Sequence, residues 1–485
     1  MDMKIRTLLL FLSLLVLNFN RSAAEDFQSL LADSCLTGAF VGMAIKDLSS
    51  DLPIFDHNAE LRFSTASNLK LFTSAAALEI LGPECRFITS FFTNGNLDKK
   101  GHLKGDLIIV GGGDPLISGR FRQSITEVLE YWTDSLSMNG INEIDGDLVI
   151  DNMLFESDEL GAGWAFDYLS YWYACPISAL SFNDNCVDFR ALPASAEGMA
   201  CQISFSPTNK YLTITNQTTT LPAGLENTFD FVRTWGTDNV KFFGGIALDD
   251  TNGITDYVSV DDPARYCATV FSDMLKQKSI RLKGDIAMLD RGRQSPRYNY
   301  SNLIKIFDWH SDSLGLVISV INKNSQNFFA EQTLKMLGVV IYGEGSYKAS
   351  IKVVNSWLAE IGLTRDDVGY NDGSGLSPMN LAKPAAIVHL LDYMYHSDNF
   401  DTYYESMAIP GIDRSVRSRM ASHPLAAKMR TKTGHIANTR TFAGYLTTRS
   451  GHLVAFSLMV NNYTAPEGAI DNWLDKVCSF VIDNY

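Results

Sequence analysis

The sequence predicts an α+β fold in which both ends of the chain form one antiparallel sheet flanked by helices. Residues 38–63 show two strand-like segments joined by a turn. Residues 426–462 show three more strand-like segments, followed by an amphipathic helix from about Glu467 to Tyr485. If the two ends pair, the long segment between them is an insertion, which we expect to be mostly β.

The composition limits the classes of protein to consider. A chain of 485 residues is too long for a single compact core, so two or three domains are expected. With 46% hydrophobic and 20% charged residues, the chain is not a disordered protein. Its net charge is −15 and no basic cluster stands out, so we expect no nucleic-acid partner.

The first residues have the layout of a secretory signal peptide. Lys4 and Arg6 precede an apolar run over residues 8–17, and small residues follow up to Ala24. We predict a signal peptide over residues 1–24, with a retained N-terminal anchor as the alternative. The protein is therefore expected to be exported and periplasmic, and peripheral association with the membrane or the cell wall is left open.

Seven cysteines remain after this segment, which in an exported chain favours disulfides or buried thiols. They form neither a C-x-x-C pair nor a zinc-ligand spacing with histidines. Cys175, Cys186 and Cys201 are close enough in sequence for one local bridge, and the pair is left open. The odd count leaves at least one free thiol or an intermolecular bond.

The first predicted helix lies within residues 63–84 and ends at Gly82-Pro83. Ser67 and Lys70 stand three residues apart in its first turn, so their side chains are neighbours. One Ser-x-x-Lys alone is more often an exposed pair on an ordinary amphipathic helix. Its meaning depends on the other motifs of the chain.

A weak repeat lies within the predicted insertion. "KGDLIIV" at Lys104, "DGDLVID" at Asp145 and "KGDIAML" at Lys283 each begin a strand with Gly-Asp and aliphatic residues. The three strands either belong to one discontinuous domain interrupted by another or share only the usual composition of a turn and a strand.

Two further motifs follow the insertion. Ser325 and Asn327 lie between a helical pattern at residues 314–321 and a new helix from about Phe328, so a tight loop presents a hydroxyl and an amide. Lys432-Thr433-Gly434 ends a probable strand, where glycine allows close approach of a ligand to the backbone.

The order Ser-x-x-Lys, Ser-x-Asn, Lys-Thr-Gly resembles the penicillin-interacting serine peptidases and β-lactamases. The long segment between Ser67 and Ser325 indicates a large insertion after the first motif. In this the chain resembles the D-alanyl-D-alanine carboxypeptidase/endopeptidase family of the penicillin-binding protein 4 (DacB) type, peptidase family S13. The segments "GGGDP", "YWYACPISALSFNDNCVDF", "NDGSGLS" and "FAGYL" also resemble that family.

The resemblance implies a β-lactamase/transpeptidase-like catalytic domain with a two-domain insertion after the Ser-x-x-Lys helix. The expected parts are the catalytic domain at 25–98 and 296–485, inserted domain II at 99–188 and 265–295, and inserted domain III at 189–264.

A Ser hydroxyl needs a base within hydrogen-bond reach, and Lys70 is placed to serve Ser67 in that role if burial and a nearby cation lower its pKa. Lys432 is such a cation. The resemblance implies that Ser325 relays a proton to the leaving amine and that Asn327 holds the substrate amide and orients the lysine.

The resemblance also implies that Thr433 contacts the terminal carboxylate and that residue 435 supplies an oxyanion N–H. Gly434 precedes it in the same motif. Position 435 is usually Ser or Thr in the family, whereas this chain has His435, so the hydroxyl that helps to hold the carboxylate is missing.

The segment "GAGWAFDYLSYWYACP" is expected to form a pocket for the side chain of a diamino acid in the stem peptide, as in the family. Trp164 would pack the aliphatic part and Asp167 would pair with the ammonium group. The alternative is a loop whose aromatic residues only anchor it.

These observations predict a serine D,D-peptidase that acts on peptidoglycan stem peptides, is inhibited by β-lactams and needs no cofactor or metal. A β-lactamase and a non-catalytic peptidoglycan-binding or β-lactam-sensing protein are the alternatives. The balance of carboxypeptidase and endopeptidase activity and the oligomeric state are left open.

Overall fold

The computed structural model describes residues 27–156, 158–289 and 298–485. The predicted signal peptide and part of the predicted segment 265–295 lie outside these ranges. From residue 69 onward, the α-helices of the described residues are α1 (Leu69–Leu81), α2 (Glu127–Met138), α3 (Pro263–Gln277), α4 (Leu314–Lys323), α5 (Asn327–Tyr342), α6 (Tyr347–Glu360), α7 (Pro384–Tyr395), α8 (Phe400–Ser406) and α9 (Glu467–Asn484).

The strands are short except in the sheet built from the two chain ends. In chain order they are β1 (Phe40–Asp47), β2 (Leu52–His57), β3 (Phe63–Ser64), β4 (Ile88–Thr93), β5 (His102–Leu103), β6 (Leu107–Val110), β7 (Glu143–Ile144), β8 (Leu148–Asp151), β9 (Cys186–Leu192), β10 (Gln202–Ser206), β11 (Thr213–Asn216), β12 (Thr219–Leu221), β13 (Asp230–Arg233), β14 (Asn239–Phe243), β15 (Gly245–Ala247), β16 (Ile254–Ser259), β17 (Arg281–Leu282), β18 (Ile286–Leu289), β19 (Ile304–His310), β20 (Val368–Gly369), β21 (Leu381–Ala382), β22 (Arg430–Ile436), β23 (Thr439–Thr447) and β24 (Leu453–Asn461).

The first sheet has the order β2-β1-β24-β23-β22, and all its neighbours are antiparallel. Strands from both ends of the chain therefore pair, which confirms the predicted α+β class. One face packs on α9, where Met43, Phe442 and Trp473 are buried. The other face packs on α7, and β22 lies at the edge of the sheet beside the turn that leads into α1.

A second sheet has the order β18-β8-β6-β4-β19. The three Gly-Asp repeats form its adjacent parallel strands β18, β8 and β6. β4 and β19 complete this sheet, although the expected ranges assigned both to the catalytic domain. The repeat therefore marks strands of one sheet, while the exact domain limits stay a prediction.

Residues 186–259 form small sheets with the orders β10-β9-β16, β11-β14-β13 and β12-β15. Phe189, Phe231 and Phe242 pack between them with ring centroids 5.0–5.9 Å apart. This region and the second sheet share one hydrophobic core, which is separate from the two cores of the first sheet. The mostly β insertion is confirmed.

Candidate active site

Ser67 lies in a 3₁₀ turn, Ala66–Asn68, which leads directly into α1. Ala66 has a positive φ of 44°, so the chain bends sharply before the helix. The turn is held from the neighbouring sheet because the Thr441 hydroxyl donates to the Thr65 carbonyl at 3.0 Å. Ser67 is only partly covered and faces a cleft.

Lys70 follows one turn later and is fully buried. Its Nζ donates to Ser67 Oγ at 3.0 Å, to Asn327 Oδ1 at 2.6 Å and to the Ser374 carbonyl at 2.6 Å. Burial lowers the pKa of Lys70 from 10.5 to about 7, although Glu331 and Asp372 oppose the shift by stabilising the charged form. A large fraction of this lysine is therefore neutral near neutral pH.

Two buried carboxyl groups under Lys70 were not singled out from the sequence. Glu331 accepts from the backbone N–H groups of Gly373 and Ser374, both at 2.8 Å. Burial, with repulsion from Asp372, raises the pKa of Glu331 to about 8. Glu331 thereby positions the loop whose Ser374 carbonyl accepts from Lys70.

Asp372 fixes the same loop from inside. Its oxygens accept from the N–H groups of Gly375 and Ser377, both at 2.7 Å, and from Asn380 Nδ2 at 2.8 Å. Burial raises its pKa. Asp372 belongs to "NDGSGLS", so the family-like segment was visible in the sequence, while its place beside Lys70 was not. Glu331 stands one helical turn after Asn327, which was the available signal for it.

Ser325 and Lys432 form a second hydroxyl–lysine pair in the site. Lys432 Nζ donates to Ser325 Oγ at 2.8 Å and to the Thr433 carbonyl at 2.7 Å. Burial and the nearby Lys70 hold the pKa of Lys432 well below its usual range. Ser325 has a positive φ of 55°, so the loop between α4 and α5 turns its hydroxyl toward the edge strand β22.

Asn327 connects the lysine to the inserted region. Its amide oxygen accepts from Lys70, and its Nδ2 donates to the Tyr173 carbonyl at 2.7 Å. The segment after β8 therefore orients the amide of the Ser-x-Asn motif. This contact joins residues 154 positions apart in the chain.

Gly434 lets β22 lie directly against the Ser67 turn. A Cβ at this position would be 3.0 Å from the Ser67 backbone nitrogen and 2.9 Å from the Thr65 carbonyl oxygen. Any side chain would push the strand away from the turn. The glycine thus permits an approach of backbone to backbone.

The cleft at Ser67 has a volume of about 450 Å³. Its walls come from the Ser67 turn, the loop before α5, strand β22 with the turn after it, and the inserted segment. The lining residues are Ser67, Tyr168, Trp172, Tyr173, Ser325, Asn327, Gly375, Leu376, Thr433, His435, Ile436 and Ala437. The structure therefore brings the three motifs together around one opening of ligand size.

His435 lies at the rim of this cleft with 55% of its side chain exposed. Its Nε2 is 3.2 Å from Glu467 Oε1 at the start of α9. Arg440, which pairs with His435 across the strands, also contacts Glu467. Partial burial and the Arg440 charge lower the pKa of His435, so the imidazole is mostly neutral at pH 7.

Trp164 and Asp167 are not among the residues that line the cleft. Trp164 Nε1 donates to Asp372 Oδ2 at 2.9 Å, so this ring is tied to the loop under Lys70. Asp167 is exposed on the neighbouring turn, immediately before Tyr168, which does line the cleft. Their predicted contacts with a diamino acid stay a prediction.

Among the residues described, no three or more His, Cys, Asp and Glu side chains are grouped to hold a metal ion. Every helix within 27–156, 158–289 and 298–485 is too short or too polar to cross a bilayer. The chemistry that the site does offer is proton transfer from Ser67 to a buried lysine. The fold and this site define a serine peptidase of the penicillin-interacting class.

Comparison with known proteins extends this assignment to the whole chain. The chain belongs to the D-Ala-D-Ala carboxypeptidase 3 (S13) family, whose sequence profile matches residues 23–477. It is 28% identical over 453 residues to the D-alanyl-D-alanine carboxypeptidase of Actinomadura sp. strain R39, covering 91% of this chain and 81% of the relative. The predicted family is confirmed.

Solved structures show the same fold. Penicillin-binding protein 4 (dacB) from Haemophilus influenzae superposes with a TM-score of 0.80 at 23% identity, over 91% of this chain and 96% of that protein. Its complex with a β-lactam superposes with a TM-score of 0.74 at 22% identity, over 92% and 97% of the two chains.

Proposed function

We propose that this protein cleaves the peptide bond before a terminal D-alanine in peptidoglycan stem peptides, through an acyl-enzyme on Ser67. The observation that carries the proposal is the buried Lys70, whose Nζ contacts both Ser67 and Asn327 and whose pKa is lowered to about 7. Family membership and the D-alanyl-D-alanine carboxypeptidase from Actinomadura support the substrate.

Acylation begins when neutral Lys70 takes the proton of the Ser67 hydroxyl and the Oγ attacks the carbonyl carbon. The negative oxygen that forms is held by the backbone N–H groups of Ser67 and His435. The close approach of β22 to the Ser67 turn at Gly434 supports this pairing.

The C–N bond then breaks and the leaving amine needs a proton. Ser325 supplies it and is reprotonated from the lysines, which its 2.8 Å contact with Lys432 supports. Water hydrolyses the ester, and Lys70 acts again as the base. A β-lactam follows the same first step, but its leaving amine stays attached to the acyl group and obstructs the water. The H. influenzae protein, which has this fold, was solved with a β-lactam.

Substrate is held at both ends of the reacting bond. Asn327 holds the amide, while Thr433 holds the terminal carboxylate. Thr433 lines the cleft, which supports its part. Asp167 recognises the ammonium group of a diamino acid, and its place beside cleft-lining Tyr168 supports that role. Trp164 packs the aliphatic stem and, through Asp372, steadies the loop under Lys70.

We further infer that the protein is exported to the periplasm. Its substrate lies outside the cytoplasm, and residues 1–24 carry the basic, apolar and small-residue pattern of a signal peptide.

The test is covalent labelling of the mature protein with benzylpenicillin, followed by peptide mass mapping. The adduct should lie on Ser67, and Ser67→Ala should lose both labelling and the release of D-alanine from a pentapeptide. Ser415→Ala, which removes a hydroxyl that donates to the backbone carbonyl of Lys323, is the matched control and should retain both. An adduct on another serine would contradict the proposal.

A further inference from the structure

A second groove adjoins the segment that walls the active-site cleft. It has a volume of about 370 Å³ and is lined by Asp158, Glu159, Leu160, Leu169, Pro176, Arg233, Trp235, Gly236 and Asp261. Tyr168 lines the cleft and the next residue, Leu169, lines this groove. The two openings therefore share one wall, the segment around residues 168 and 169.

Two large aromatic side chains stand exposed at this groove. Phe166 is 73% exposed and Trp235 is 60% exposed. Their ring centroids are 6.5 Å apart in an edge-to-face arrangement, although the residues come from different segments of the inserted region. Paired aromatic rings left in water are characteristic of a binding surface.

The turn that carries Trp235 is fixed to the shared wall. Arg233, whose side chain is 1% exposed, donates to the Leu169 carbonyl at 3.0 Å and to Asp261 Oδ1 at 2.7 Å. The Gly236 N–H donates to the same Asp261 oxygen at 3.1 Å. The backbone turn that carries the exposed ring is thus fixed before any ligand binds, which lowers the entropy lost on binding.

Two of the three carboxylates that line the groove are paired with a cationic side chain. Asp158 pairs with buried Lys335 at 2.6 Å, and Asp261 pairs with Arg233. Their carboxylate oxygens still have lone pairs for further donors, since each carboxylate accepts up to about four hydrogen bonds. A neutral ligand rich in hydroxyl and amide donors fits this groove better than a cation, which needs uncompensated negative charge.

We propose that this groove binds a sugar ring of the glycan chain that carries the stem peptide. A pyranose ring has a face of C–H groups that packs on an indole and a rim of hydroxyl groups that donate to carboxylates. The stem peptide is covalently attached to the glycan, so a glycan site must lie within reach of Ser67, and the shared wall satisfies this condition. The proposal rests on the proposed function for its substrate.

Direct binding is measured with the Ser67→Ala protein and N-acetylglucosamine oligosaccharides by isothermal titration calorimetry. Trp235→Ala in this background should weaken binding by about ten-fold, as expected for loss of one aromatic contact, and Trp235→Phe should restore most of the affinity. Leu225→Ala is the matched control, because Leu225 is also an exposed apolar residue (54%) of the inserted region and does not line the groove.

Turnover is compared on a free stem pentapeptide and on the same peptide attached to its disaccharide. Trp235→Ala should lower kcat/KM by about five- to ten-fold on the disaccharide peptide only. Its acylation by benzylpenicillin should be unchanged. Equal activity of Trp235→Ala and the unsubstituted protein on both substrates would overturn the glycan site. Equal oligosaccharide affinities of the Ser67→Ala protein with and without Trp235→Ala would also overturn it. A protein that cleaves neither peptide while binding the oligosaccharide would overturn the proposed function alone.

Discussion

The ionisation of Lys70 makes the proposed chemistry dependent on pH in a direction that the structure determines. Burial lowers the pKa of this lysine from 10.5 to about 7. At pH 7 roughly half of the molecules then have a neutral base, against roughly one in three thousand for a lysine with an ordinary pKa. At pH 5 the neutral fraction is about one in a hundred. Acylation needs the neutral form, so its rate falls with falling pH.

The assay is stopped-flow acylation by a fluorescent penicillin between pH 5 and pH 9. The second-order rate constant should reach a plateau above about pH 8 and fall about ten-fold per pH unit below pH 6, about a hundred-fold in all. Lys70→Arg should lower the plateau by several orders of magnitude, because a guanidinium keeps its proton throughout this range. Lys46→Arg makes the same replacement at a lysine that pairs with Asp392 and should keep the full profile.

A rate that is constant from pH 9 to pH 5 would refute the role of Lys70 as the base. A rate constant that still rises about ten-fold per pH unit up to pH 9, with no plateau, would mean that the cleft does not desolvate the ammonium group. Circular dichroism of each variant and at each pH separates these results from unfolding.

Three further predictions follow from other contacts of the site. His435→Thr should lower KM for a peptide ending in D-Ala-D-Ala by about five-fold, since a hydroxyl adds one hydrogen bond to the terminal carboxylate; steady-state kinetics measures this, and a higher KM would show that the imidazole itself binds substrate. Asp167→Ala should lower kcat/KM roughly ten- to a hundred-fold for peptides with a free diamino acid amine while leaving acylation by benzylpenicillin unchanged; equal losses on both would show that Asp167 is structural. Cys175 and Cys186 are both buried, and Cys175 lies close enough to contribute to the raised pKa of the Cys186 thiol, so in protein isolated from an oxidising compartment they should form the local disulfide, which contributes about 3 kcal/mol; non-reducing peptide mapping checks the pair, and a link from either residue to Cys201 would contradict it.

The sequence predicted most of the catalytic framework because its elements are locally encoded. The strand-like segments predicted within 38–63 and 426–462 correspond to strands β1, β2, β22, β23 and β24. The three Gly-Asp repeats became neighbouring strands. The expected ranges placed β4 in the catalytic part, whereas in the structure β4 pairs with β6 of the second sheet. The choice of a partner strand depends on the fold and not on the strand's own residues.

The acidic residues under the site were harder to find. Glu331 lies on a helix face, and Asp372 lies in a loop, and sequence alone does not reveal that both end up fully buried near Lys70. An isolated Glu on a helix is usually a solvated residue. Only the packing of α1 against α5 and the 371–380 loop removes these groups from water.

The sequence by itself determined the family and the three motifs. The motifs in turn point to Ser67, Lys70, Ser325, Asn327 and Lys432 as the candidate site residues. The sequence could not determine that Trp164 would bind Asp372 or that the Tyr173 carbonyl would hold Asn327. Nor could it show the lowered pKa of Lys70. These properties belong to the tertiary structure, because desolvation and hydrogen-bond geometry depend on which distant segments pack together, and no local pattern of residues records that.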